Sequence, residues 1–272
     1  MGLDYRSPIR PTWRVKLRRA EKHLAEFHAE FVRLRDTRQK CRVSTEVHTQ
    51  HQTNSLLVRA YLPDYPEDDI AVIVGDLLFN TRCALDHIYV FLSGDEGAEF
   101  PILTYDVWVA DLDPSTGKDR NQPRRSRLLK HARKMPAGAF ALINSLQPYL
   151  NLPERPNDQV LAILNSFSNV DKHRRSHLIR GSLFEPRTTL DVPGSECEVI
   201  QRKGEYVSGT VVAQFPAPPS DSQAQVETYS GIYVTFQEGR AGGKRWDASP
   251  SLTTLFEFVR DNVILPLEEF TR

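Results

Sequence analysis

The stretch GDLLFNTRCALDH, residues 75 to 87, sets several polar side chains into the most apolar helical segment of the chain. They are Asp76, Asn80, Arg82, Asp86 and His87. Imidazole titrates near neutral pH, so His87 is a candidate general acid or base. Arginine keeps its charge and presents a planar fork that suits phosphate, so Arg82 is a candidate anion-binding residue. Together the two residue types indicate proton transfer at a bound phosphate.

A rotation of 100° per residue separates these polar side chains into two groups. One stripe of the helix carries Asp76, Asn80, Cys83 and His87. Arg82 and Asp86 lie on its flank, four residues apart, where they can neutralise each other. Buried polar residues of helical bundles often bond one another and the nearby backbone, so a closed structural network is the alternative to a ligand site. The pattern leaves both interpretations open.

A second polar cluster lies in LNSFSNVDKHRRSHL, residues 164 to 178. Its candidate ligand-binding residues are Asn169, Asp171, Lys172, His173 and Arg174. Asn165, Asn169 and His173 follow one another at steps of four residues, so they share a helix face. We expect that face to oppose the His87 stripe and to complete a pocket between two helices. The alternative is a solvated, basic helix end that complements the helix dipole.

Metal and hydrolase chemistry find less support in the spacing of these residues. Asp86, His87, Asp171 and His173 carry metal-ligating atoms, but no pair has a spacing that sets two ligands on one helix face. The chain also lacks the G-x-S-x-G motif of serine hydrolases. We therefore predict neither a metal site nor a cofactor.

The overall composition is that of an ordinary globular protein. Lys and Arg balance Asp and Glu at 35 each, which gives the whole molecule no electrostatic preference for nucleic acid or membrane. Residues 118 to 134 are an exception, with eight basic side chains against the single carboxylate of Asp119. Such a run is more often a solvated face than a phosphate-binding surface.

Cysteine usage and hydropathy bear on the compartment. The three cysteines are widely spaced and form no C-x-x-C pair, which is typical of a reducing cytoplasm. The apolar run IAVIVGDLLF is interrupted by Asp76 and is too short to cross a bilayer. We therefore expect a cytoplasmic protein without a membrane partner.

The periodicity of apolar residues predicts an α+β fold. It is mainly a helical bundle, with a β-hairpin near the N-terminus, an antiparallel β-rich segment after residue 181 and a C-terminal helix. The helical part covers about residues 10–180 and 250–270, and the β-rich part about 41–62 and 183–238. Because helices bracket the strands, we expect one α+β unit over residues 1–272.

Individual helices have recognisable limits in this pattern. We expect a first helix within residues 13–39 and the polar core helix over 67–93, ended by Gly94. Residues 110–127 are predicted to form a long loop, and residues 157–179 another helix. FPILTYDVW is predicted to be a short extended piece, and Pro266 to kink or end the last helix.

Four motifs in a fixed order resemble a widespread family of uncharacterised bacterial proteins. The first is the G-D-x-x-x-N-x-R-x-A-L-D-H helix at residues 75–87. It is followed by Phe100-Pro101-Ile102, by Gln147-Pro148-Tyr149 and by the N-x-D-K-H-R run at 169–174. The likeness covers about residues 70 to 175 and names a family rather than a function.

Arg82 and His87 also resemble the R-x(4–6)-H motif of HEPN-type helical domains. That resemblance implies an RNA- or nucleotide-binding protein, and in its catalytic form a metal-independent endoribonuclease of defence or toxin type. Arg82 would hold the scissile phosphate, and His87 would move protons as the ribose 2′-oxygen attacks. Two protomers would pair through the 67–93 helix to form one cleft. The alternative function is that of a non-catalytic binding or assembly protein whose polar stripe is a structural network.

Overall fold

The computed structural model describes residues 11–50, 53–172, 179–219, 223–236 and 246–272. The predicted α+β class is confirmed. The α-helices in this part of the chain are α1 (Thr12–Leu34), α2 (Glu67–Ser93), α3 (Gln122–Ala132), α4 (Ala139–Ser145), α5 (Pro148–Asn151), α6 (Val160–Lys172), α7 (Ala248–Glu257) and α8 (Leu265–Glu268). The strands are β1 (Arg42–Gln50), β2 (Thr53–Tyr61), β3 (Ile179–Asp191), β4 (Glu198–Gln201), β5 (Glu205–Tyr206), β6 (Val211–Pro216), β7 (Gln225–Phe236) and β8 (Trp246–Asp247).

The helix that contains the polar stripe, α2, begins and ends where its sequence predicts. Glu67 opens an acidic first turn after Pro66, and negative charge there complements the helix dipole. Gly94 follows with a left-handed φ of +62°, a conformation that ends helices and favours glycine. Its buried face packs along α1, where the Trp13 and Phe91 rings meet at 5.1 Å.

Antiparallel strands form two sheets, one with the order β1-β2-β6 and one with β4-β3-β7-β8, in which β5 also pairs with β3. The predicted hairpin is confirmed, with Arg42 opposite Tyr61 and Gln50 opposite Thr53. Pro186 cannot donate to a ladder, and the register of β3 with β7 shifts around it, between Phe184 and Arg187.

The larger sheet lies against the helices. Gly231 of β7 comes so near the end of α1 that a Cβ there would lie 2.7 Å from the Arg35 carbonyl oxygen. One apolar core fills the space between β7 and the helices, and a smaller one lies between the two sheets. No helix among the described residues is long and apolar enough to cross a membrane.

Three local predictions need correction. Helix α3 begins at Gln122, inside the predicted loop, because Pro123 occupies its first turn, where a missing N–H costs nothing. The helix predicted to reach residue 179 is wrong at its end, since Ile179 already belongs to β3. The last helix does not end at Pro266 but continues through it. A π-helical stretch at Phe258–Ile264 comes just before this proline.

Candidate functional site

Arg82 and Asp86 of α2 hold the backbone of Phe100 from both sides. The Arg82 Nη2 donates to the Phe100 carbonyl oxygen at 2.9 Å, and the Phe100 N–H donates to Asp86 Oδ1 at 2.9 Å. Arg82 Nη2 also lies 3.0 Å from Asp86 Oδ1, as an ion pair one helical turn apart. An irregular segment must satisfy its polar backbone groups outside any ladder, and these two side chains do so at Phe100.

Gln147, just before α5, holds the other end of the same segment. Its Oε1 accepts from the Leu103 N–H at 2.8 Å, and its Nε2 donates to the Pro101 and Ile143 carbonyl oxygens at 3.0 and 2.9 Å. The side chain is almost fully buried. Residues 97–103, which we call the 97–103 segment, are therefore fixed between α2 and the start of α5.

A polar pocket of about 470 Å³ lies where the 97–103 segment meets α2, α3 and α6. Its polar lining includes Arg82, Glu99, Arg124, Arg127, His131, Asn165 and Asn169. We call it the Arg82 pocket. Three arginines against one glutamate give it a positive lining, which favours an anion.

Arg82 is the buried cation of this pocket, with only 7% of its side chain exposed. Its Nη1 is buried and has no hydrogen-bond partner among the described residues. An unsatisfied N–H of a charged group is costly when buried, so an acceptor that reaches Nη1 gains more than an ordinary hydrogen bond.

The rim of the pocket carries Arg124 and Arg127, both exposed on α3. Arg124 Nη1 donates to the Tyr105 hydroxyl at 2.6 Å, and its guanidinium lies 5.6 Å from the centre of that ring. Arg127 has no carboxylate partner within the described part of the chain. Its charge is therefore available to a ligand at the mouth of the pocket.

His131, one turn further along α3, is buried with both ring nitrogens engaged. Its Nδ1 lies 3.0 Å from the Tyr89 hydroxyl, and its Nε2 lies 3.4 Å from Asp95 Oδ2. Burial raises the pKa of Tyr89, so the phenol keeps its proton. The Gly97 N–H holds the pKa of Asp95 below its usual range. This chain of side chains connects α3 with α2, and within it His131 uses Nδ1 for its hydrogen bond.

Another part of the lining comes from α6, where Asn165 and Asn169 lie one turn apart. Neither amide has a hydrogen-bond partner among the residues that the structure describes. Each offers both a donor and an acceptor to a ligand. A pocket between α2 and α6 therefore contains Asn169 together with Arg82, whereas Asn169 was predicted to face the His87 stripe.

His87 lies in different surroundings and does not line the Arg82 pocket. Five residues of helix turn it about 140° away from Arg82. Burial lowers the pKa of His87, Lys16 of α1 lowers it further, and Asp86 acts in the opposite direction. The His87 Nδ1 is buried without a hydrogen-bond partner among the described residues.

The remaining candidate residues separate into three groups. Asp76 is exposed, and Asn80 is buried with its Nδ2 donating to the Asp76 carbonyl oxygen at 2.7 Å, within α2 itself. Asp171 and Lys172 belong to the last turn of α6. His173 and Arg174 lie outside the described residues.

Sequence reasoning missed the rim of the pocket. Arg124, Arg127 and His131 follow one another at steps of three and four, a spacing that places them on one helix face. The basic run was predicted to be a solvated face, which conceals that three of its members point toward a common pocket.

A second cavity, of about 190 Å³, lies between α6 and α7 and is lined by apolar residues such as Ile163, Phe167 and Leu255. Among the described residues, no charged side chain lines it. Comparison of the chain with protein families, with curated proteins and with solved structures found no match.

Proposed function

We propose that the protein binds a phosphate-bearing ligand, RNA or a nucleotide, in the Arg82 pocket. The observation behind this proposal is a buried arginine whose Nη1 lacks a hydrogen-bond partner among the described residues, in a pocket with two further arginines at its rim. Guanidinium groups bind phosphate oxygens through directed, charge-assisted hydrogen bonds, which are about twice as strong as neutral ones.

Neutralising phosphates along a single strand makes affinity fall with salt, at a log–log slope of about −0.7 per contact. We expect labelled single-stranded RNA to bind with a salt-dependent affinity. Arg127→Gln should weaken binding and remove about one contact from the slope. Arg133→Gln is the matched control, because Arg133 is exposed on the same basic run but does not line the pocket. Equal losses in both variants, or no binding by the wild type, would contradict the proposal.

Cleavage is the catalytic form of this proposal. In it, Arg82 holds the phosphate and a largely neutral His87 accepts the proton of the ribose 2′-hydroxyl, which agrees with its lowered pKa. The 2′-oxygen forms a bond to phosphorus as the P–O5′ bond breaks, and the leaving 5′-oxygen takes a proton from solvent, which gives a 2′,3′-cyclic phosphate and a 5′-hydroxyl. Within one chain the two side chains face different surroundings, so geometry favours binding over cleavage. Degradation of RNA in EDTA that stops in Arg82→Ala and in His87→Ala would establish the reaction. Its absence from the wild type would leave a binding protein.

The non-catalytic network is the second candidate function, and one observation favours it. Arg82 and Asp86 occupy the N–H and the C=O of Phe100, so both serve the fold whether or not a ligand binds. In that case the chain is a binding or assembly protein.

We also propose that two copies pair through α2, whose Val72 and Phe79 are exposed and lie seven residues apart, on one face.

A further inference from the structure

We propose that the Arg82 pocket recognises the terminal phosphate of a nucleotide, whether that nucleotide is free or ends an RNA strand. This inference rests on the proposed function and narrows it to a phosphomonoester. It follows from the depth at which the pocket places its cations.

The three arginines differ in depth. Arg124 and Arg127 are exposed at the mouth, whereas Arg82 lies inside with 7% of its side chain exposed. A phosphate within a strand carries a sugar on each side, so its neighbours hold it near the rim. A terminal phosphate is esterified through only one of its oxygens. Its other three oxygens are free of substituents, so it can enter as far as Arg82.

Arg82 and the rim arginines make different contributions. Asp86 offsets the charge of Arg82 at 3.0 Å, so Arg82 supplies direction through the free N–H groups of its Nη1. The excess charge comes from Arg124 and Arg127, which outweigh the carboxylate of Glu99 in the same lining. A phosphomonoester carries about −1.5 to −2 charges at neutral pH, against −1 for a diester, and therefore gains more from that rim.

The rest of the pocket is suited to more than a bare anion. Its volume of about 470 Å³ falls in the range of small-ligand sites, about 300–1,000 Å³. The amides of Asn165 and Asn169, which have no hydrogen-bond partner among the described residues, lie in the α6 part of the lining. There they can form hydrogen bonds to hydroxyls or to a base edge. A nucleotide uses both the arginines and the amides, whereas inorganic phosphate uses only the arginines.

The test compares one short RNA in three forms, with a 5′-phosphate, with a 3′-phosphate and with neither, by fluorescence anisotropy at fixed salt. A nucleoside monophosphate, its nucleoside and inorganic phosphate compete in parallel. We expect at least one phosphorylated end to bind about tenfold more tightly than the unphosphorylated strand. Competition by the monophosphate but not the nucleoside would assign the same recognition to free nucleotides. Failure of the monophosphate to compete, with the end preference intact, would assign the site to RNA ends.

Variants locate the effect in the pocket. Arg127→Gln should reduce the preference for the phosphorylated end, whereas Arg133→Gln should keep it. Asn165→Leu should weaken the nucleotide and leave inorganic phosphate unchanged. Equal affinity for phosphorylated and unphosphorylated strands would overturn the inference while RNA binding stands. Phosphate competing as well as the nucleotide would also overturn it, and absence of all binding would remove the proposed function as well.

Discussion

Arg82 serves the fold with one nitrogen of its guanidinium and, in the proposed function, offers another to the ligand. Its Nη2 is used by Phe100 and Asp86, whereas its Nη1 remains without a hydrogen-bond partner among the described residues. A planar group with five N–H donors allows this division, which a lysine ammonium could not reproduce with the same geometry. A ligand site and a structural network, the two interpretations of the polar residues of α2, are therefore compatible at Arg82.

Asp86 tests the structural half of that division. In Asp86→Ala the buried Arg82 loses its counter-charge and the Phe100 N–H loses its acceptor, so the free energy of unfolding should fall by about 2 to 3 kcal/mol. Asp76→Ala makes the same change on an exposed position of the same helix and should stay within about 0.5 kcal/mol. Denaturant unfolding measures both. Equal values for the two variants would show that the Phe100 contacts contribute nothing.

His87 should make stability depend on pH. Because its pKa is lowered in the folded protein, the unfolded chain binds the proton first as the pH falls through about 6.5. The His87 contribution is thus complete above that pH and is lost below it, toward the lower folded pKa. Unfolding measured from about pH 7.5 to about pH 5.5 should show a smaller loss of stability in His87→Gln than in the wild type. His48→Gln, at an exposed position of β1, should keep the wild-type loss.

At the scale of elements, predictability follows the density of local signals. Helix α2 has an acidic first turn, a continuous apolar face and Gly94 directly after its end, and its bounds were predicted to the residue. Helix α6 has no such stop signal, and the prediction carried it into β3. Helix α3 contains Pro123 and few apolar residues, so most of its first turn was assigned to a loop.

The 97–103 segment could not be predicted from local signals, because distant side chains determine it. Its conformation depends on Asp86 and Arg82 from one side and on Gln147 from the other, which lies 44 positions beyond Leu103. The sequence contains these residues in separate motifs. Only the fold shows that the α2 motif and the motif with Gln147 both form hydrogen bonds to the motif at Phe100. The same holds for the pocket, since Asn169 was predicted as a binding residue and Asn165 was placed on the same helix face, but Arg124 and Arg127 were not among the candidates.

The balanced charge of the whole molecule conceals a local asymmetry. Three of the eight cations in the basic run at residues 118–134 are neutralised nearby, since Arg120 pairs with Asp113, Arg125 with Asp119 and Lys130 with Asp95. Arg127 has no carboxylate partner among the described residues and stands at the pocket. The net charge of a chain therefore says little about where an anion binds, because ion pairing decides which cations stay available.

Pairing of two chains through α2 is tested at this largest scale. A two-fold interface contains each residue twice, so a single charge placed in it is buried in two copies and should prevent association. Val72→Glu should therefore remain monomeric at concentrations where the wild type is dimeric in sedimentation velocity. Val47→Glu on β1 is the matched control, because Val47 is 63% exposed and Val72 is 62% exposed. A wild type that stays monomeric at about 100 μM would rule out the α2 interface, since the free energy of dimer formation would then be under about 6 kcal/mol. Equal dissociation of both variants would also rule it out.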